Sequence, residues 1–197
     1  MLGIEPLRKS KLEAAQTREA IVAAAADLIR RDGLAEASLA DMMAAAGLTH
    51  GGFYRHFGSK EQLVAEALAA AGDKTVAAVS RNMAKGGVNA AIDGYLSKTH
   101  RDALTPTCPF AALGSEIARS GKEARGTATE VLEQLFATLA ADAKDSEKDP
   151  DTARGEAITA LSTMVGAMTL ARIAADSALS AEILESARER LKEHLQR

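Results

Sequence analysis

Five side chains of this sequence are of the types most often used in catalysis or metal binding: His50, His56, His100, His194 and Cys108. Their spacing excludes most of that chemistry. The histidines lack the separations that let two ligands share a helix face or a metal loop. No dinucleotide-type glycine fingerprint, phosphate-binding loop or nucleophile elbow accompanies them. The sequence therefore predicts no enzyme, no cofactor and no metal. What remains is recognition, and it is concentrated in one stretch, LTHGGFYRHFGSKEQL, residues 48–63. Within it Thr49, His50, Tyr54, Arg55, His56 and Lys60 supply hydroxyl, imidazole, guanidinium and ammonium groups, all able to contact phosphates or base edges. Gly51 and Gly52 interrupt that series, although each glycine costs a helix about 1 kcal/mol relative to alanine.

Helices must position these groups, and the punctuation for them is legible. Ser10 with Glu13, or Thr17, can cap a first helix over 11–32 or 17–32, with Ile21, Ala25, Leu28 and Ile29 on one face and Gly33 at its end. Ser38 caps a second helix that carries Asp41 in its first turn and stops at Gly47. Thr49 caps a short third helix reaching Phe57. Ser59 and Gln62 form a capping box for a fourth, which extends toward Asn82. At 100° per residue Phe53 and Phe57, with Leu48, point to the core, whereas Gly51, Gly52 and Arg55 point away, bordered by His50 and Tyr54. In a helix-turn-helix that outer face enters the DNA major groove, and glycines there let the backbone come close. Ser38, Thr49 and Lys60 lie at helix starts, where capping and phosphate binding use the same atoms.

Further along, Gly86-Gly87 marks a break before a fifth helix over 88–101. Two prolines make residues 104–109 a loop, and Pro109 opens a sixth helix running to Ser120. A seventh is expected over 122–142, a charged linker over 144–151, and two last helices over 152–175 and 180–196. No repeat and no strand pattern is present. The fold class is all-α, with about nine helices.

Composition agrees. Apolar residues make up 47% of the 197 residues and charged residues 26%, as in ordinary globular proteins, and the alanine- and leucine-rich apolar share favours helix. No apolar run reaches the roughly 20 residues of a membrane span, no secretion signal is visible, and a single cysteine suits a reducing compartment. A cytoplasmic protein without a membrane partner is expected. The net charge of −3 gives little hint of a nucleic-acid partner; residues 1–60 carry eight basic against seven acidic side chains. Any DNA contact must depend on where charges point.

The run over residues 17–63, and above all G-L-T-x-G-x-F-Y-x-H-F-x-S-K-E-x-L from Gly47 to Leu63, resembles the DNA-binding domain of the tetracycline-repressor (TetR) family of bacterial transcription regulators. The resemblance implies an N-terminal three-helix helix-turn-helix domain over residues 1–60 and a helical effector-binding and dimerisation domain over 61–197. It implies base contacts from His50, Gly51, Gly52 and Arg55, and phosphate contacts from Ser38, Thr49, Tyr54, His56 and Lys60. Arg18 is either a further backbone contact or a plain surface arginine. Position 52 departs from the family, which more often has a small side chain there, and position 50 is often lysine or another polar residue. The expected partners are a double-stranded operator, a small-molecule effector and a second copy of the chain. The implied function is a repressor that binds a near-palindromic operator as a dimer and is released by its effector. An all-α dimeric binding protein whose helix-turn-helix is only scaffold is the alternative from another class.

In the second half, Ile158, Leu161, Val165, Met168 and Arg172 recur at three- and four-residue spacing, as do Ile183, Leu184, Ala187, Leu191 and Leu195. Either stripe faces a partner subunit, in the family's four-helix bundle, or the chain's own core. Tyr95, Phe110, Leu113, Leu132, Phe136, Met164 and Met168 are candidate effector-pocket residues, with plain core packing the other reading. Cys108, at the start of the sixth helix, is expected to feel the helix dipole, with His100 and Arg101 able to assist, which would lower its pKa. It resembles the cysteine of a subset of the family that responds to electrophiles or oxidants. Alternatively it is a small buried hydrophobe.

Overall fold

Segments rich in alanine and leucine, cut by glycine, proline and capping residues, become helices wherever the cuts allow. The computed structural model describes residues 5–105, 108–141 and 149–195. These residues form α1 (Glu5–Asp32), α2 (Leu39–Ala45), a 3-10 helix (His50–Arg55), α3 (Lys60–Tyr95), α4 (Lys98–Arg101), α5 (Pro109–Arg119), α6 (Lys122–Ala140), α7 (Pro150–Ile173) and α8 (Ser177–Leu195). No strand occurs among the described residues, as the all-α reading expects.

Two of the predicted side-chain caps act as caps. Ser38 Oγ accepts from Asp41 N at 3.1 Å, and Ser59 Oγ accepts from Gln62 N at 3.1 Å while Gln62 Oε1 accepts from Gly58 N at 2.9 Å. Others are corrected. The first helix starts at Glu5, earlier than either expected start, because Pro6 falls in the first turn, where a missing N–H costs nothing. Thr17 lies inside that helix and donates to the Glu13 carbonyl at 2.8 Å. The third element is 3-10 and ends at Arg55, and the Thr49 side chain makes no capping bond. Helix α7 begins at Pro150, capped by Asp149, and α8 begins at Ser177. Most of the expected linker over 144–151 lies outside the described residues.

The largest correction concerns the expected break at Gly86-Gly87. It is a kink inside one long helix, with Gly87 at φ 63° and ψ −158°. That backbone region is open essentially to glycine alone, so the chain can turn there without ending α3.

Helix α3 joins two apolar clusters. One is built from α1, α2, the 3-10 helix, the start of α3 and parts of α5 and α6, around Ile21, Ile29, Met42, Met43, Phe53, Phe57 and Leu63. The other gathers the end of α3 with α6, α7 and α8 around Ile92, Leu96, Leu135, Met164 and Met168. Phe110 packs against both. Helix α3 lies along α6 closely enough that a Cβ on Gly72 would sit 2.4 Å from Val131 Cγ2.

The two dimer stripes divide differently from the sequence pattern. Leu161, Met168, Leu184 and Leu191 are buried in the chain's own core, while Val165 and Ile183 are half-buried and Ile158 is exposed. The large apolar side chains left open on α7 and α8 are Ile158, Leu170 (56%), Ile173 (71%) and Leu179. Period alone assigns residues to a stripe but not to one of two apolar neighbours. Among the described residues no helix is long and apolar enough to cross a membrane.

Candidate nucleic-acid interface

The 3-10 helix is held on one side only. Phe53 and Phe57 are buried and stack with ring centroids 5.6 Å apart. The turn before it closes through Gly47 at φ 73°, where Leu48 N donates to Met43 O at 2.9 Å. The opposite side is open. His50, Gly51, Tyr54 and Arg55 are exposed, and Tyr54, at 72% exposure, makes an edge contact with Phe53. Ser38 and Thr49 are exposed too; Gly52, His56 and Lys60 are half-buried. The structure thus gathers the nine predicted contact residues around the two short helices and the start of α3.

The glycines are not required by packing. A Cβ added at Gly51 would meet nothing within 4 Å, and one at Gly52 would meet only Met43 Cε, at an ordinary 3.9 Å. Neither has a positive φ. The fold would accept alanine at both positions, and yet the outer face of this helix has bare backbone.

Arg18 resolves as a structural group. Its guanidinium lies 4.6 Å from the centroid of the Phe57 ring, its Nε donates to His56 O at 3.3 Å, and its Nη2 pairs with Glu66 at 2.5 Å. It ties α1, the end of the 3-10 helix and α3 together. A signal was present: Arg18 is three residues before Ile21, on the face that packs inward. Glu116 had no such signal. From α5 its Oε2 accepts from Leu34 N at 2.8 Å and Ala35 N at 3.0 Å, which fastens the turn between α1 and α2 to the second half of the chain.

The second half shows where the other candidates lie. Cys108 is at the N-cap of α5, as expected, but fully buried. Burial pushes its thiol pKa up, against smaller downward effects from Tyr95, the Ala111 and Phe110 amides, and Arg172. Desolvation outweighs the helix dipole here, so the expected lowered pKa is corrected. His100 packs edge-on against Tyr95, and Arg101 pairs with Asp102. Leu113, Met164 and Met168 are fully enclosed core residues; Phe110, Leu132 and Phe136 are half-buried against the core. Tyr95 alone of the seven pocket candidates borders a half-open cavity of about 280 Å³ formed by α3, α4 and the residues beside them. Among the described residues no cluster of three or more His, Cys, Asp or Glu side chains could hold a metal.

Residues 21–67 match the family described as bacterial regulatory proteins, tetR family, and residues 84–190 match the transcriptional regulator LmrA/YxaF-like C-terminal domain. The chain is 31% identical over 168 residues to the uncharacterized HTH-type transcriptional regulator Rv0196 of Mycobacterium tuberculosis, covering 81% of this chain and 86% of that one. A TetR transcriptional regulator of Chloroflexus aurantiacus superposes with a TM-score of 0.75 at 30% identity, over 94% of this chain and 96% of that one. The reduced form of Escherichia coli NemR shares the fold, with a TM-score of 0.76 at 20% identity over 90% and 96% of the two chains.

Proposed function

The chain belongs to the TetR family of bacterial transcription regulators and is a ligand-responsive DNA-binding protein; from that premise we propose that it is a repressor. It binds a near-palindromic operator as a homodimer and leaves it when a small molecule occupies the helical second half. It acts in the cytoplasm, where its DNA is. The reader is residues 1–60, and the effector and dimer part is residues 61–197, with α3 running out of the first into the second.

The observation that carries this reading is the bare outer face of the 3-10 helix. Packing would admit a side chain at Gly51 and Gly52, so their absence suits a surface that another molecule covers. His50, Gly51, Gly52 and Arg55 meet base edges, and Ser38, Thr49, Tyr54, His56 and Lys60 meet phosphates. The Thr49 hydroxyl, with no capping bond to make, is free for that role. The open residues of α7 and α8, Ile158, Leu170, Ile173 and Leu179, form the dimer contact together with Val165 and Ile183. A twofold pair then sets two readers about one DNA turn apart, roughly 34–36 Å.

Selection of bound sequences from a random DNA pool tests this directly. A palindromic consensus is expected, and Tyr54→Phe and Lys60→Ala should each weaken binding to it in gel shifts while leaving helicity unchanged. Recovery of no consensus would refute the reading. A thiol switch at Cys108 is the weaker account, because the sulfur is enclosed and held protonated. Cys108→Ser is expected to leave the effector response intact.

A further inference from the structure

Helix α1 starts well before the fold has any use for it. Its packed part begins at Ile21, and Arg18 is clamped to the end of the 3-10 helix and to Glu66 of α3. Every residue from Lys11 to Gln16 is exposed, including Leu12 at 60%. A helix as short as residues 5–16 is marginal in water without packing. The sequence nevertheless favours one: residues 7–16, LRKSKLEAAQ, contain no glycine, no proline and no β-branched side chain.

Two ion pairs show where this segment goes. Arg18 pairs with Glu66, and Asp27 with Lys74 at 3.4 Å, so α1 and α3 run side by side in the same direction. Six residues back from Glu66 is Lys60, the first residue of α3, and six back from Arg18 is Leu12. Lys11 therefore stands level with the start of α3, beside a residue assigned to phosphate. Residues 5–10 continue about 9 Å past that level. The opposite end of α1 leads into the turn that Glu116 fastens to α5, so the free end points away from the second half.

Charge is sorted around this helix. Lys11 precedes Arg18 by two turns and falls about 20° from it, on the side that meets the 3-10 helix. Glu13 falls about 140° from Arg18 on the same count. No acidic residue lies three or four positions from Lys11, and the sequence has a second basic residue, Arg8, one turn further out. The small net charge of residues 1–60 hides this arrangement.

We propose that the free first turns of α1, residues 5–16, lie along the DNA backbone beside the reading helix, with Lys11 on a phosphate. This rests on reading residues 1–60 as the DNA-contacting part and adds to it a surface outside the helix-turn-helix. A helix with its side chains is about 10–12 Å across, too wide for the roughly 6 Å minor groove. The contact is therefore made to phosphates, and it adds affinity without sequence preference.

The test is the salt dependence of binding, measured by fluorescence anisotropy on the full-length protein. Two duplexes of equal length are used: the consensus recovered from the random pool and a scrambled sequence. Each phosphate contact contributes about 0.9 to the slope of log K against log salt. Lys11→Ala removes one contact from each copy of a dimer and is expected to flatten the slope by about 1.8 on both duplexes. Lys11→Arg should keep the parent slope. So should Lys85→Ala, which removes the same charge from an exposed position roughly 37 Å along α3 from its start. A parent-like slope in Lys11→Ala, equal flattening in Lys85→Ala, a change on the consensus alone, or loss of the dimer in Lys11→Ala by sedimentation would each overturn the proposal. Recovery of no consensus would instead refute the operator reading, and the scrambled duplex would still report on Lys11.

Discussion

Gly51 and Gly52 separate folding from function at the level of single residues. Alanine in place of a glycine with an accessible backbone conformation stabilises a protein by about 0.4–1 kcal/mol, mainly by restricting the unfolded chain. Neither position meets a steric obstacle. Gly51→Ala is therefore expected to raise the urea midpoint slightly while lowering operator affinity in gel shifts. Opposite signs mark a glycine kept for its ligand, and an affinity equal to that of the parent chain would count against the DNA role. His100 gives a second residue-scale test. Burial lowers its pKa from the ordinary 6.5, only partly offset by the Tyr95 carbonyl, and Arg172 lowers it further. The unfolded chain then binds this proton more tightly than the folded one, so stability rises with pH across the interval between the two values. The contribution is present at neutral pH and is lost as pH falls below about 6.5. Unfolding of His100→Gln by urea should show a shallower loss of stability over that window than the parent chain.

Among the elements, α3 does most of the positioning. It starts beside the 3-10 helix, is clamped there through Glu66 to Arg18, lies along α6, and bends at Gly87 to open the cavity. Its approach to α6 depends on Gly72. Helix propensity favours alanine there by about 1 kcal/mol, but a Cβ would lie 2.4 and 2.6 Å from the two Val131 methyls, and a branched side chain has few ways to yield. Overpacking of this kind costs about 1–3 kcal/mol. Gly72→Ala is expected to destabilise by about 1–2 kcal/mol in denaturant unfolding, and Val131→Ala in the same chain should restore part of the loss. Helix α5 provides the other link: Cys108 at its start is buried beside Tyr95, and Glu116 near its end holds the α1–α2 turn. A shift of α4 against Tyr95 can reach the reader through this helix, provided that effector and DNA prefer different arrangements of it.

For the whole molecule, the proposed dimer rests on the open apolar residues of α7 and α8. Leu170 and Ile173 lie one turn apart, both more than half exposed in the isolated chain. An apolar stripe of this kind, on helices whose other faces are packed, suits the proposed contact surface. Ile173→Glu should convert a dimer to a monomer by sedimentation at micromolar concentration, with helicity retained. Operator affinity should fall with it, because one half-site contributes only part of the binding free energy. A dimer that survives both Ile173→Glu and Leu170→Glu would move the interface elsewhere.

Much of this was legible in order along the chain. Glycine, proline and Ser/Asp caps are local signals, so α2, the 3-10 helix and α5 to α8 could be read to within a few residues, whereas the end of α3 and the start of α4 could not. The Gly47–Leu63 run carried the arrangement of the proposed reader's side chains, because the alternation of buried Phe53 and Phe57 with open Gly51, Tyr54 and Arg55 is a property of one short helix. What depends on a neighbour was not legible. A glycine pair reads as a break, and here the backbone turns at Gly87 without ending α3, because residues on both sides of it are packed into one apolar cluster. Leu161 and Ile158 have the same period signal, and tertiary contact alone turns one inward and leaves the other open. Cys108 shows the same division most clearly. Sequence placed it at a helix N-terminus, where the dipole favours the thiolate. The fold enclosed it, and loss of water around a charge outweighs a half-unit dipole at the end of one helix.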